Sequence, residues 1–320
     1  MNSYAFRIGP IVLLLVVCLL AHAQTPLSAV DKYNEGLSKL NKRDFDGAIR
    51  ELTEAIELSS RLVPAKSSKS SFWNNTVAES DSSQITVVDP FTANAYTDRG
   101  VARYRKGDLE GALQDFNSAI CIRPSLFVAY VNRGAVKRKL GDLASALQDL
   151  DRAISLQNNV AEAYNNRGGL RYDLGDTDGA LSDFNKGIEL DSTLPQLFYH
   201  RGYVFIRKHD FDRARSDFGR AIQLDPNIAR AYEGRGTAWM SKGEIDRAIA
   251  DFSRALELDR SLALVYLNRG LALMLKGRDV EAQGDFERCL ALDPQLKSDL
   301  VRRRELARCL RGTRPCSDLK

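Results

Sequence analysis

Histidine and cysteine are scarce in this chain of 320 residues, which has three of the first and five of the second. Neither His200 nor His209 has a cysteine, histidine or carboxylate at a metal-ligand spacing, so the pattern offers no metal site. No Gly-x-Ser-x-Gly, His-Glu-x-x-His, Walker loop or EF-hand loop occurs. Charge of one sign is lacking as well. The formal net charge is +4, and its basic excess sits in segment 297–320, with eight Lys/Arg against three Asp/Glu. Residues 24–296 are slightly acidic, which excludes a general nucleic-acid or polyanion binder. With no leftover domain to carry chemistry, no enzyme activity and no cofactor are expected.

The N-terminus has the pattern of an export signal. One basic residue, Arg7, precedes the apolar run "PIVLLLVVCLL", and "AHA" supplies a small-x-small site ending at Ala23. The run is short of the ~20 residues that span a bilayer. Residues 1–23 are therefore expected to be removed, leaving a periplasmic or secreted chain; the alternative is an uncleaved anchor. Removal would take Cys18 and leave Cys121, Cys289, Cys309 and Cys316. Cys309 and Cys316 are near enough in sequence to pair, whereas Cys121 is expected to stay free.

What the chain does have is a period of 34 residues. Six units run without a gap, starting at Ala93, Phe127, Ala161, Pro195, Ala229 and Ala263, and end at Leu296. The eighth residue is always Gly (Gly100, Gly134, Gly168, Gly202, Gly236, Gly270) and the twentieth always Ala (Ala112, Ala146, Ala180, Ala214, Ala248, Ala282). The twenty-seventh is always small. Apolar residues within a unit fall on one stripe of each of two successive helices. Gly175-Asp176, with Gly-Asp at 107–108 and 141–142, reads as a helix stop followed by a cap for the next helix. A weaker unit spans 29–62, with Gly36, Ala48, Leu52 and Ala55 in frame.

This pattern resembles the tetratricopeptide repeat family in its period, its Tyr four residues before Gly, its two small residues, its late Phe and its closing Pro. The resemblance implies an all-α superhelical solenoid of helix-turn-helix repeats. The expected organisation is a divergent first repeat within 24–62, a Ser-rich loop or linker over 63–92, six tandem repeats over 93–296, and a basic capping helix and tail over 297–320. Phe72 and Trp73 could dock the linker, and Asn74-Asn75-Thr76 is a glycosylation sequon by spacing alone.

Every contiguous unit also carries Arg at its seventh place and Asp at its twenty-third, as in Arg167 and Asp183. Both flank the small residues of the helix–helix seam, where an unpaired charge would be costly. The expectation is an ion pair within each repeat. The first unit has Glu35 and Glu51 at these places instead.

In the family, the face of the first helix opposite the seam lines a groove that binds extended peptides or partner helices. Here that face holds Asn132, Asn166 and Asn268 at the sixth place, with His200 in register. An amide both donates and accepts, so a ladder of amides suits a peptide main chain. Tyr104, Arg138 and Tyr172 line its early part, and Tyr199, Tyr203 and Met240 are expected to anchor apolar side chains. Leu264, Leu267, Leu271, Met274 and Leu275 extend the apolar part, unless the terminal helix covers them. That helix has Leu300, Ala307 and Leu310 as its apolar side; it serves as a cap or, alternatively, as a contact for an acidic lipid surface or acidic partner. The function implied is a non-catalytic scaffold for a protein or peptide partner. The alternative is a structural envelope component tethered by its signal segment or basic helix.

Overall fold

The computed structural model describes residues 27–60 and 90–312. The expected signal segment, Phe72, Trp73, Asn74 and Cys316 lie outside the described residues. The regular structure is helical throughout, with no strand among the described residues. In order, the helices are α1 (Leu27–Asn41), α2 (Phe45–Ser60), α3 (Pro90–Lys106), α4 (Leu109–Ile122), α5 (Phe127–Leu140), α6 (Leu143–Leu156), α7 (Ala161–Asp173) and α8 (Thr177–Leu190). They continue as α9 (Pro195–Arg207), α10 (Phe211–Leu224), α11 (Ala229–Ser241), α12 (Ile245–Leu258), α13 (Ala263–Leu275), α14 (Asp279–Leu292) and α15 (Lys297–Leu310). The chain forms two compact units, one ending at Val136 and the other beginning at Lys137.

Each turn between paired helices has a physical cause. Gly107, Gly141, Gly175, Gly243 and Gly277 adopt positive φ, where a glycine costs least. The following Asp108, Asp142, Asp176 and Asp210 each accept a hydrogen bond from the backbone N–H three residues on, at 2.9 to 3.1 Å. His209 replaces the turn glycine and still takes φ 58°.

The seam depends on close approach. A Cβ built on Gly100 would lie 2.7 Å from the ring of Phe116, and one on Gly168 would lie 2.8 Å from Phe184. Phe218, Phe252 and Phe286 fill the corresponding places against Gly202, Gly236 and Gly270, and all five rings are fully buried. Burying such a ring is worth roughly 2–3 kcal/mol, and any side chain on the facing helix would forfeit part of it.

The seventh-place arginines tie this seam together. Arg99, Arg167, Arg201, Arg235 and Arg269 each grip the Asp of their own second helix through Nε and Nη2, at 2.6 to 3.0 Å. In five of the six contiguous repeats the remaining nitrogen turns to the preceding repeat. Arg99 donates to Thr53, Arg133 to Asn117, Arg167 to Asp151, Arg201 to Asn185 and Arg269 to Ser253, at 2.8 to 3.1 Å. All of these acceptors occupy the twenty-fifth place. The flat guanidinium also lies over the aromatic ring three residues earlier, 5.3 to 5.8 Å from its centre. In the first repeat, where Arg and Asp are absent, Glu51 is buried and takes Lys32 (2.8 Å) and Lys39 (2.6 Å). Those two ammonium groups hold its carboxyl down to about 2.

The terminal helix α15 packs on α13, and Leu300 and Ala307 share one buried cluster with Leu267, Leu271 and Met274. Leu310, expected on the packed side, is 69% exposed instead. Leu300 and Ala307, seven apart, already define the buried line, and Leu310 falls away from it by helical rotation. Arg311 closes the contact by donating to the Met274 carbonyl (2.8 Å) and to Asp279 (2.6 Å). Cys121 and Cys289 are free thiols, and Cys309 is disulfide-bonded.

Two stability outcomes follow from the arginine geometry. Arg167→Ala or Asp183→Ala alone should cost up to ~3–5 kcal/mol, and the double variant should cost less than the sum; additive losses in urea melts would mean that the two side chains are uncoupled. At Arg235 the twenty-fifth place of the preceding repeat is Gly219, where a built Cβ meets nothing within 4 Å. Gly219→Asn should therefore stabilise the chain by ~1–2 kcal/mol, the sum of a helix-propensity gain and a new bond to Arg235. Pairing it with Arg235→Lys should abolish the second part of that gain.

Candidate functional site

In the unit from Lys137 onward, α7 touches α9, α9 touches α11, α11 touches α13, and α13 touches α15. The first helices thus stand side by side as a continuous wall, the closely spaced and hence inner side of a stack of helix pairs. Their second, fifth, sixth, ninth, twelfth and thirteenth residues face away from the seam, which makes this wall the candidate site.

The structure divides the candidate residues into two groups. His200 is buried, and its Nδ1–H donates to Asn165 Oδ1 at 2.8 Å. Its ring also stacks on Phe184, at 5.6 Å between centres. Burial, with Arg138 adding to it, pushes the imidazole down to about 3, so it stays neutral. His200 is therefore a buried element of the wall, bonded to the repeat before it. Asn132, in the other unit, is buried too. In the His200 rung, the sixth residue of a repeat meets the fifth residue of the one before. Tyr33 makes the same rung in the first unit, donating to Asp98 Oδ2 at 2.7 Å. Asn166 and Asn268 differ. Both are half-buried, and neither side chain has a hydrogen-bond partner among the described residues.

The aromatic candidates are also sorted by burial. Tyr199 is buried, and Tyr203 is half-buried with its hydroxyl donating to the Arg230 carbonyl at 3.0 Å. Tyr172 lies under the Arg207 guanidinium at 3.5 Å. Arg138 donates to Asp173 (2.9 Å) and roofs Gly169, where a Cβ would sit 3.4 Å from its Nη1. Met240 is half-buried between the clusters of α11, α12 and α13, and Tyr104 is half-buried in the unit ending at Val136. Leu267, Leu271 and Met274 extend the apolar face in the sequence, and here the open alternative holds: α15 covers them. The available apolar surface thus shrinks to Tyr203, Ile206, Met240, Leu264 and Leu275.

Two residues of this wall carry no sequence signal of their own. Arg230 and Glu233 occupy the second and fifth places of α11, and Arg230 Nε and Glu233 Oε2 are buried without a hydrogen-bond partner. Among the described residues no cluster of His, Cys, Asp or Glu could hold a metal, and no helix is long and apolar enough to cross a membrane.

Comparison with known proteins agrees with this architecture. Residues 132–195 and 199–263 match the tetratricopeptide repeat family model. A tetratricopeptide repeat protein from Parabacteroides merdae aligns over 87% of this chain and 99% of its own, with 20% identity and a TM-score of 0.60. The Pseudomonas aeruginosa pilF structure aligns over 63% of this chain and 92% of its own, at 19% identity and a TM-score of 0.58. The Cut9–Hcn1 hetero-tetramer of the APC/C aligns over 87% of this chain and 57% of its own, at 17% identity and a TM-score of 0.62. At these identities the likeness concerns fold: stacked tetratricopeptide helix pairs. No curated protein matches the chain in sequence.

The rung between Tyr33 and Asp98 makes a pH-dependent prediction. Burial pushes the Asp98 carboxyl from 3.8 up to about 6, against the opposing effect of the Tyr33 bond. A carboxyl raised in the folded state stabilises fully below its unfolded value and loses that contribution as pH rises through about 6. Asp98→Asn keeps an acceptor for Tyr33 and removes the buried charge. It should be more stable than the parent by ~1–3 kcal/mol above pH 6, with the gap closing as pH falls below 4. A gap independent of pH in urea midpoints would show that Asp98 is ordinarily ionised.

Proposed function

We propose that this chain is a non-catalytic interaction module, which holds an extended peptide or a partner helix against the wall of first helices. The observation that carries this reading is the pair of half-buried amides, Asn166 and Asn268, which have no hydrogen-bond partner among the described residues, on a wall that also exposes part of Tyr203 and Met240. Polar groups held back from water and left unbonded cost stability unless something else bonds them. Amides beside aromatic surface suit a polypeptide, whose main chain both donates and accepts while its side chains supply apolar anchors. Protein and peptide binding is also the general role of tetratricopeptide repeats. The export pattern of residues 1–23 supports an extracytoplasmic setting, in which a mature chain would begin at Gln24.

A second reading rests on α15. Val301, Leu306 and Leu310 are 52%, 47% and 69% exposed on a helix that also carries Arg302, Arg303, Arg304 and Arg308. Such a surface would suit an envelope component held on an anionic membrane. Salt-sensitive sedimentation with phosphatidylglycerol vesicles, lost in Arg302→Glu, would favour it.

Photo-crosslinking separates the two readings. A benzophenone side chain placed at Asn166 or Tyr203 should capture partners from native extracts, whereas one at Arg220, exposed on the second helix α10, should not. Asn166→Ala with Asn268→Ala should weaken capture about tenfold, the worth of one or two hydrogen bonds, with melting unchanged. Equal capture from Arg220 would move the binding surface off the wall.

A further inference from the structure

Three buried side-chain atoms among the described residues lack a hydrogen-bond partner: Asn132 Oδ1, Arg230 Nε and Glu233 Oε2. All three lie on first helices, at the sixth, second and fifth places of their repeats, and Arg230 and Glu233 belong to the wall. Elsewhere the helices satisfy their buried side chains, even at the seam, where charges are most numerous. Unsatisfied groups confined to one face call for a partner on that face.

Arg230 and Glu233 lie together. Their closest approach is 3.7 Å, an ion pair too long for a hydrogen bond. The Arg230 side chain is 40% exposed and Glu233 only 13%, so the carboxylate is the fixed member and the guanidinium the movable one. The repeat register identifies what is missing. Asn165 and His200 stand 35 residues apart and close their rung at 2.8 Å. Glu233 and Asn268 stand at the same separation and the same two places, yet no hydrogen bond joins them. Beside them, Gly234 has no side chain, because a Cβ there would come within 2.2 Å of Phe218. By that register the wall presents a carboxylate and an amide at facing places, on the face that also carries Tyr203 and Met240.

We propose that this open rung, Glu233 with Asn268, is a subsite for a basic side chain, Lys or Arg, of the bound segment. The inference rests on the binding reading given above and specifies its partner. A cation supplies donors for Glu233 Oε2 and for the Asn268 carbonyl oxygen, and compensates a charge that Arg230 meets only at long range. Its aliphatic stem lies along Tyr203 and Met240, and Arg230 swings into solvent as it enters. A neutral main-chain N–H would satisfy one oxygen and leave the charge unmet. An acidic residue would be repelled. Burial, which raises the Glu233 carboxyl, opposes ionisation in the free protein; capture of a cation therefore strengthens as pH rises through that group's titration.

The test uses the full chain and acetylated nonapeptides of mixed apolar sequence with Lys, Arg, Gln or Glu fixed at the centre. The parent should retain the Lys and Arg sets about tenfold better than the Gln set, a preference that salt weakens, and should retain the Glu set least. Glu233→Gln should abolish the preference without lowering the thermal midpoint, since it removes an unsatisfied buried charge. Asn268→Ala should reduce the preference severalfold. A Lys preference that survives Glu233→Gln, or no preference at the central place, overturns the inference. If those peptides still crosslink at Asn166, only this assignment falls; without crosslinks at Asn166 or Tyr203, the binding reading falls with it.

Discussion

The fold turns on an arginine that must be satisfied on two sides at once. A guanidinium has five N–H donors in a rigid plane, and sealing it half-buried between helices is tolerable only if its neighbours meet most of them. The aspartate of the same repeat takes two bonds, the preceding repeat takes another, and the tyrosine or phenylalanine below supplies the flat surface. This requires the paired helices to approach until glycine touches phenylalanine ring. A lysine has the charge but not the plane, and could not make this set of contacts. The first repeat keeps the requirement and changes the chemistry: a buried glutamate receives two lysines.

Most of this architecture was legible because it recurs at equal spacing. The glycine and alanine places and the Arg–Asp pairing each lie within one repeat and recur in six copies, and the Gly-Asp turn recurs in three. The bond back to the preceding repeat was not legible, although it occurs as regularly. Its acceptor is Thr53, Asn117, Asp151, Asn185 or Ser253, residues that share a hydrogen-bonding atom but not an identity. Periodicity of residue type conceals a contact defined only by the chemistry of one oxygen.

The wall was legible as a face and not as a site. Asparagines at the sixth place form a row in the sequence, yet Asn132 is buried while Asn166 and Asn268 are half-buried. Where a rung closes, as between Asn165 and His200, one repeat's fifth residue meets the next repeat's sixth, a relation between repeats that no single repeat displays. The terminal helix poses the same difficulty. Its amphipathic pattern announces a helix, but only packing shows that it takes Leu267, Leu271 and Met274 out of the wall. Arg230 and Glu233 drew no attention in the sequence because opposite charges three residues apart on a helix are usually solvated pairs.

The two-sided grip of the arginines bears on how such a chain is made. Asp151 precedes Arg167 by the same 16 residues by which Asp183 follows it. During synthesis from the N-terminus, each arginine therefore emerges after the acceptor behind it and before the aspartate ahead. A nascent first helix can fasten to finished structure at once, and its own second helix arrives to complete the fork. A chain delivered N-terminus first, from ribosome or export channel, can thus extend its array against an ordered edge without waiting for its far terminus.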